Sequence, residues 1–420
     1  MKNRFLRERI KRKISQKHAR LVVLTGARQT GKTTLARRTF PEIAYISLED
    51  PVVRPSYTRL SAAEWIETYP VAILDEVQKA PSLIESIKAA HDMSQDVRYM
   101  LLGSSQILLL SKVKESLAGR VAIEELWPLT LPEMVSESWD DPLPESRLIT
   151  YLRGDPARTE VLLGVPAADQ GFAKGQTAFA RYLSFGGMPV VHDPELSDPE
   201  REEWLHNYQR TYLERDVTDL ATLQDLQPFV LAQKAVAART GTLVNFSDLA
   251  RSASISPATA RRFLRYLELS YQVLVLPPYH RNPEKRLSKM PKVHFLDPGV
   301  LRGITGRRGP PTGKEFESAV AGEVFKQLRT ASLRVDLFHL RTYDGREVDL
   351  LLELEQGFVA VEIKMAERVH TKDTAPFRDL EAFLDKPLLC SVVLSLDRDA
   401  RMLSDGVLAL PAAWALGSPV

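Results

Sequence analysis

The sequence predicts an α/β protein: a mostly parallel sheet covered by helices on both faces, followed by two smaller units. Three observations predict it. Apolar β-runs at Leu21–Thr25, Tyr45–Leu48, Val71–Leu74 and Arg98–Leu102 alternate with helical stretches near 58–68 and 81–92, the pattern of a parallel sheet. A glycine-bearing turn, Gly26 to Lys32, joins the first run to a helix start at Thr33. Beyond Thr312 a helix and three more strands begin a separate α/β unit.

Size and composition agree. At 420 residues the chain exceeds one ordinary core, so two or three domains are expected. With 44% apolar and 26% charged residues, it has the profile of a soluble globular protein rather than a disordered one. The net charge of +2 says little about partners, but residues 1 to 20 hold nine Lys or Arg against one Glu. That segment suits either a phosphate backbone or anionic lipid, or is a solvated basic helix. The single Cys390 excludes an intrachain disulfide and any multi-cysteine zinc site, which points to a reducing, cytoplasmic setting. No apolar stretch approaches the roughly 18 residues needed to span a bilayer, so neither export nor membrane insertion is expected.

Taken in order, residues 1–150 form the first domain. The sequence Gly26-Ala27-Arg28-Gln29-Thr30-Gly31-Lys32-Thr33-Thr34 fits the full phosphate-loop pattern between strand and helix. Its glycines let backbone N–H groups curl around a phosphate, and the following helix N-terminus adds favourable dipole charge. Lys32 is expected to reach the β and γ phosphates of ATP, and Thr33 to coordinate Mg2+. The run ending in Asp75 and Glu76 supplies a magnesium-side carboxylate and, one residue on, a general base. Ser104 is the candidate γ-phosphate sensor. Arg120 is either a charge-stabilising arginine, acting in its own chain or a neighbour, or a surface residue.

Prolines between 128 and 166 interrupt the pattern and open a helical connector, 151–240, in which Trp204, Tyr208, Tyr212, Leu213 and Val217 recur at helical spacing. In 241–305, helices at Asn245–Ala253 and Pro257–Leu269 and strands at Tyr271–Leu276 and Pro291–Leu296 form a winged helix-turn-helix. Ser256 caps the second helix and Pro257 fits its first turn. Arg261, Arg262 and Arg265 on that helix, with a 280–289 wing carrying His280, Arg281, Lys285, Arg286 and Lys289, are candidates for DNA contact. A rigid spacer or protein-contact module is the other reading.

The last unit, 306–420, holds a helix at 315–329 and strands at 335–340, 348–354 and 358–364. A hairpin there can bring Asp349 close to Glu362, with Lys364 on the face of Glu362 and Glu317 on the preceding helix. Two acids holding a metal beside a lysine suit phosphodiester hydrolysis; an amphipathic hairpin with a salt bridge is the plain alternative.

These motifs resemble those of AAA-superfamily ATPases with a C-terminal restriction-endonuclease-like domain, a bacterial and archaeal group. The resemblance runs through Gly26–Thr34, Ile73–Gln78, Leu102–Gln106, Ser116–Arg120, Phe185–Pro189, Tyr212–Asp216 and Lys292–Gly299. It departs at Leu102, where a threonine is common. It implies an ATPase, a winged helix and a PD-(D/E)xK-like domain, with Glu317, Asp349, Glu362 and Lys364 at the nuclease-like positions. The expectation is an ATP-hydrolysing protein whose nucleotide state controls a DNA-associated region with nucleolysis as its candidate chemistry. The alternative is an ATP-dependent switch whose inactive nuclease-like domain holds a protein partner.

Overall fold

The computed structural model describes residues 1–16, 20–103, 120–154, 158–166, 169–212, 225–282, 284, 286, 289–342, 345–404 and 406–419. Ser104–Gly119, Leu213–Asp216, Val217 and Lys285 lie outside them.

Strands β1 (Leu21–Thr25), β2 (Ala44–Ser47), β3 (Val71–Asp75), β4 (Arg98–Leu102) and β5 (Val121–Glu125) form a parallel sheet in the order β2-β3-β4-β1-β5. Every residue of β1 is buried, as a strand covered on both faces requires. Leu21 and Val23 pack with Trp65, Leu83, Ile84 and Ile87 on one side. Val22 and Leu24 pack with Leu6, Ile10, Leu35 and Ala36 on the other, so the basic N-terminal helix Leu6–Ser15 is one of the covering layers. The helix expected at 58–68 is broken in two, Arg54–Thr58 and Ala62–Thr68. Ser61 and Glu64 form a reciprocal capping box that starts the second piece afresh.

A smaller antiparallel sheet has the order β6-β8-β7, with β6 at Thr242–Leu243, β7 at Val273–Leu276 and β8 at Lys292–Phe295. Helices Phe246–Ser252 and Pro257–Leu269 pack with it through Leu249, Phe263, Leu267, Val273 and Val293. Ser256 caps its helix as the sequence suggests, and Asn245, expected as the first helical residue, caps the other. The first strand of the hairpin starts later than expected, because Tyr271 turns through a left-handed conformation (φ +63°).

The third sheet is mixed, in the order β13-β14-β12-β11-β10-β9. It comprises β9 (Asp336–Arg341), β10 (Glu347–Glu353), β11 (Phe358–Lys364), β12 (Leu388–Ser395), β13 (Arg401–Ser404) and β14 (Val407–Pro411). Helix Gly313–Thr330 lies across it and buries Phe316, Val320 and Val324 against Leu350, Val361 and Leu394. The same core takes in Trp127, Leu129, Tyr151 and Phe179, so these residues pack onto the C-terminal unit.

Two signature segments meet here. Asp297 caps helix Pro298–Thr305 and also accepts a hydrogen bond from Gly187 N at 2.7 Å. A Cβ at Gly299 would lie 2.0 Å from the Phe185 carbonyl oxygen, so only glycine permits this approach. Among the described residues no helix is long and apolar enough to cross a membrane.

Candidate functional site

The phosphate loop leaves the C-terminal end of β1 and runs beside Leu126. A Cβ on Gly26 would sit 2.2 Å from the Leu126 carbonyl oxygen, and Gly31 (φ +90°) turns the chain into helix Lys32–Thr39. Glycine is therefore required twice, once for space and once for conformation. The first-turn N–H groups of that helix have no carbonyl within the helix to bond, which makes its start an anion-binding end.

Lys32 is buried, and its ammonium donates to the carbonyls of Gly26 at 2.9 Å and Ala27 at 2.7 Å. The Thr33 hydroxyl donates to Asp75 Oδ2 at 2.6 Å. The Tyr45 hydroxyl donates to the same oxygen at 2.8 Å, and Glu76 N donates to Asp75 Oδ1 at 2.9 Å. Burial, then the bond to Asp75, pushes the Tyr45 phenol up to about 12, so it remains a donor. Glu76 follows in a left-handed conformation (φ +57°), uncommon for a residue with a side chain. Burial first, and the Asp75 charge second, raise its carboxyl above the usual range, while Arg28 and Lys32 draw it down. A carboxylate so placed holds a proton better than a solvated one, as a general base must.

Thr33 and Asp75 offer hard oxygen donors on one side of the loop, the chemistry a magnesium ion takes. The sequence-predicted Gly26–Thr34, Asp75 and Glu76 thus come together. Ser104 lies outside the described residues. Arg120 does not join them: its Nε donates to Asp92 at 2.9 Å, and it precedes Val121, which pairs with Leu21 at the N-terminal edge of the sheet. The loop leaves the other edge, roughly 13 Å of strand length away at about 3.3 Å per residue. A role for Arg120 at its own chain's phosphate loop is therefore corrected.

Three side chains that motif reading missed also hold the loop. Buried Arg4 donates to the Thr30 carbonyl at 3.0 Å and pairs with Glu133 at 3.2 Å. The Tyr208 hydroxyl donates to the Arg28 carbonyl at 3.2 Å. The Tyr271 hydroxyl lies 3.3 Å from both Thr25 Oγ1 and Glu125 Oε1. Tyr208 stood out in the sequence only as one of a helical row of aromatics.

The second constellation is built on β10 and β11. Leu350 opposes Val361, and Ile363 N donates to Asp349 Oδ2 at 2.9 Å, which fixes Asp349 beside Glu362. Helix Gly313–Thr330 supplies Glu317. Glu317, Asp349 and Glu362 are 4%, 6% and 4% exposed, so all three predicted acids converge but lie beneath packed residues. Lys364, half-buried, pairs with Glu362.

The sequence reading named Lys292, the first residue of β8, only as the start of a signature segment and gave it no site role. It is 3% exposed, and its ammonium lies against Glu317 Oε1 and 2.9 Å from Asp349 Oδ1. Burial, then the Asp349 charge, raises Glu317 to about 7 and Glu362 to about 8. Burial would raise Asp349 too, but Lys292 and the Ile363 N–H hold it below the usual range. His294, bonded to Ser318 Oγ at 3.0 Å, is pulled down to about 3 by burial and is neutral. Among the described residues no group of three or more His, Cys, Asp or Glu side chains is arranged to hold a metal.

Arg261, Arg262 and Arg265 are exposed on helix Pro257–Leu269. Arg261 stacks over Phe246 at 4.1 Å, and Arg265 pairs with Glu268. In the expected wing, Arg281 and Lys289 are exposed and Arg286 is half-buried. Arg286 lies over the rings of Tyr279 and Phe338, each at 4.7 Å, and Arg281 donates to the Leu384 carbonyl. Arg286, held over two rings of the C-terminal unit, is committed there, which corrects its assignment to DNA.

Residues 18–135 match a family described as an AAA domain, and residues 176–310 and 312–414 match two domains of unknown function, DUF8612 and DUF4143. Uncharacterized proteins of Mycobacterium bovis and Mycobacterium tuberculosis are each 28% identical over 410 residues, which is 94% of this chain and 80% of theirs. Among solved structures, a Walker-type ATPase of Pyrococcus abyssi aligns at a TM-score of 0.45 and 15% identity, over 71% of this chain and 94% of that one. RuvB of Thermotoga maritima aligns at 0.25 and 18% identity, over 61% and 82%. Residues 18–135 are an AAA domain that carries a P-loop.

Proposed function

We propose that the chain is a magnesium-dependent ATPase that passes its nucleotide state to the regions downstream, as a switch acting on a bound partner. The observation that carries this is the arrangement of Thr33, Asp75 and Glu76 beneath the phosphate loop. With ATP bound, Lys32 exchanges the Gly26 and Ala27 carbonyls for β- and γ-phosphate oxygens. Thr33 and Asp75 would hold magnesium, which would supply charge neutralisation at the phosphates. Glu76 orients and polarises the attacking water.

The switch rests on the two loop carbonyls held from outside. Arg28 O is bonded by Tyr208 and Thr30 O by Arg4, so a nucleotide that reshapes the loop pulls on helix Asp198–Tyr212 and on the N-terminal segment. Glu76→Gln should keep ATP binding and slow turnover by about 10²- to 10⁴-fold, the usual contribution of a positioned base. Turnover at the wild-type rate in steady-state phosphate release would remove Glu76 from that role.

A second reading, in which residues 241–305 act as a winged helix and 306–420 as a PD-(D/E)xK-like unit that handles DNA, is favoured by the exposed Arg261, Arg262 and Arg265 and by the convergence of Asp349, Glu362 and Lys364. The burial of the three acids favours holding over cutting. Duplex DNA binding that weakens with salt and with Arg261→Ala plus Arg262→Ala, without cleavage in Mg2+, is the expected result; salt-independent or absent binding removes DNA as the partner.

A further inference from the structure

The C-terminal carboxylates are the place where a nuclease of this architecture would carry a divalent ion, and the residues present do not fit one. A hard cation needs carboxylate oxygens that are free to turn toward it, with room for water and phosphate alongside. Here the oxygens are committed. Asp349 Oδ1 accepts from Lys292 Nζ at 2.9 Å and Oδ2 from Ile363 N at 2.9 Å. Glu317 Oε2 accepts from Lys314 Nζ at 2.8 Å, and Oε1 lies against the Lys292 ammonium as an ion pair. Glu362 Oε1 accepts from Lys364, which leaves Glu362 Oε2 as the one carboxylate oxygen of the three with neither a hydrogen bond nor an ion pair.

Charge points the same way. Glu317, Asp349 and Glu362 face Lys292, Lys314 and Lys364, three acids against three lysines, so even when fully ionised the acids carry no surplus charge for a metal. A divalent ion entering between Glu317 and Asp349 would meet the Lys292 ammonium at the spot it needs, in surroundings where like charges are poorly screened. Lys292 is also not a residue of the C-terminal sheet. It comes from β8, the strand that ends the preceding unit, and its side chain crosses to the acids of helix Gly313–Thr330 and β10.

We infer that Lys292 is the resident cation of the Glu317–Asp349 site, a side chain lent by β8 that takes the place of a divalent metal and ties the small antiparallel sheet to the C-terminal unit. This deepens the second reading above by making the C-terminal unit a non-cleaving one. It stands independently of ATP hydrolysis by the phosphate loop.

The test uses the full-length, nucleotide-free protein and Mn2+ as probe, with bound ion read by electron paramagnetic resonance. Wild type should show no Mn2+ binding that Asp349→Asn removes. Lys292→Met, which keeps the side-chain length without the charge, should gain a site that the added Asp349→Asn abolishes, on the order of tenfold or more tighter than any such binding in wild type. Binding at Thr33 and Asp75 is common to all these chains and cancels in the comparison. Mn2+ held by wild type and lost in Asp349→Asn overturns the inference, as does a Lys292→Met protein that folds and gains no site.

Should Lys292→Met not fold, reductive methylation of wild type read by mass spectrometry decides the matter. Excess Mn2+ should leave Lys292 as inert as before; a metal that displaces the ammonium would free the amine, and labelling would rise. ATP turnover of the same wild-type preparation is measured alongside, and its absence would count against the phosphate-loop reading alone.

Discussion

Lys32 and Lys292 are both buried lysines, and the difference between them separates the two chemical centres of this molecule. Lys32 donates to two neutral backbone carbonyls, Gly26 O and Ala27 O. Lys292 lies between two carboxylates, Glu317 and Asp349. An ammonium is attracted more strongly by a full negative charge than by the dipole of a neutral carbonyl, so an incoming phosphate can draw Lys32 away from its partners. It gains nothing by competing for Lys292. Burial of a cation therefore does not mark a ligand site; the charge of its acceptors decides whether it is held in reserve or used up in the fold.

The largest effect expected from this contrast is at the loop. Lys32→Ala should reduce ATP turnover to background and abolish binding of a fluorescent ATP analogue. Its effect on thermodynamic stability should be small, since the lost ammonium bonds, about 1.5–3 kcal/mol each, are offset by no longer burying a cation. Chemical denaturation without nucleotide checks the second half. A stability loss of several kcal/mol would show that Lys32 is structural and break the comparison.

Lys292→Ala should behave in the opposite way. Removing one partner of a buried ion pair leaves uncompensated charge, which typically destabilises by about 3–5 kcal/mol. The acids soften this by taking up protons, since burial already raises Glu317 to about 7 and Glu362 to about 8. The loss should therefore be greater at alkaline pH than at pH 5, where those carboxyls are neutral without help. Urea titrations at the two pH values give the answer, and a loss below about 1 kcal/mol at both would mean that Lys292 does not hold the units together.

The two centres were not equally legible in the sequence. The phosphate loop could be read because its chemistry is local: Gly26, Gly31, Lys32 and Thr33 lie within one turn, and strand and helix flank them. Asp75 and Glu76 were legible for the same reason, as acids at a strand end. In the C-terminal unit the acids could be placed because β10 and β11 are joined by a tight turn that sets their register. Lys292 could not, since it reaches Asp349 across 57 residues and opens its strand like any lysine at a strand end. Arg4 and Tyr208 were hidden likewise: what they bond is backbone carbonyl, which leaves no trace in residue type. The inward turn of Arg286 was misread because a basic loop after a helix pair looks the same whether an arginine in it faces DNA or the rings of Tyr279 and Phe338.

The smallest effect expected in a single chain belongs to Arg120, and it sharpens the comparison by adding a cation that is neither reserved nor enclosed. Its side chain and that of Asp92 are 39% and 43% exposed, and the pair sits at the sheet edge opposite the phosphate loop. Exposed ion pairs contribute about 0–1 kcal/mol, so Arg120→Ala should leave stability almost unchanged. Turnover measured on dilute, monomeric protein should be unchanged as well, because no part of the chain's own phosphate site is within reach. If Arg120 serves a neighbouring chain, the defect appears only at concentrations where chains associate. Mixing Arg120→Ala with Lys32→Ala would then restore turnover, since one chain keeps the loop and the other supplies the arginine. Loss of turnover that is independent of concentration and unaffected by mixing would place Arg120 at its own phosphate loop, against the strand pairing of Val121 with Leu21.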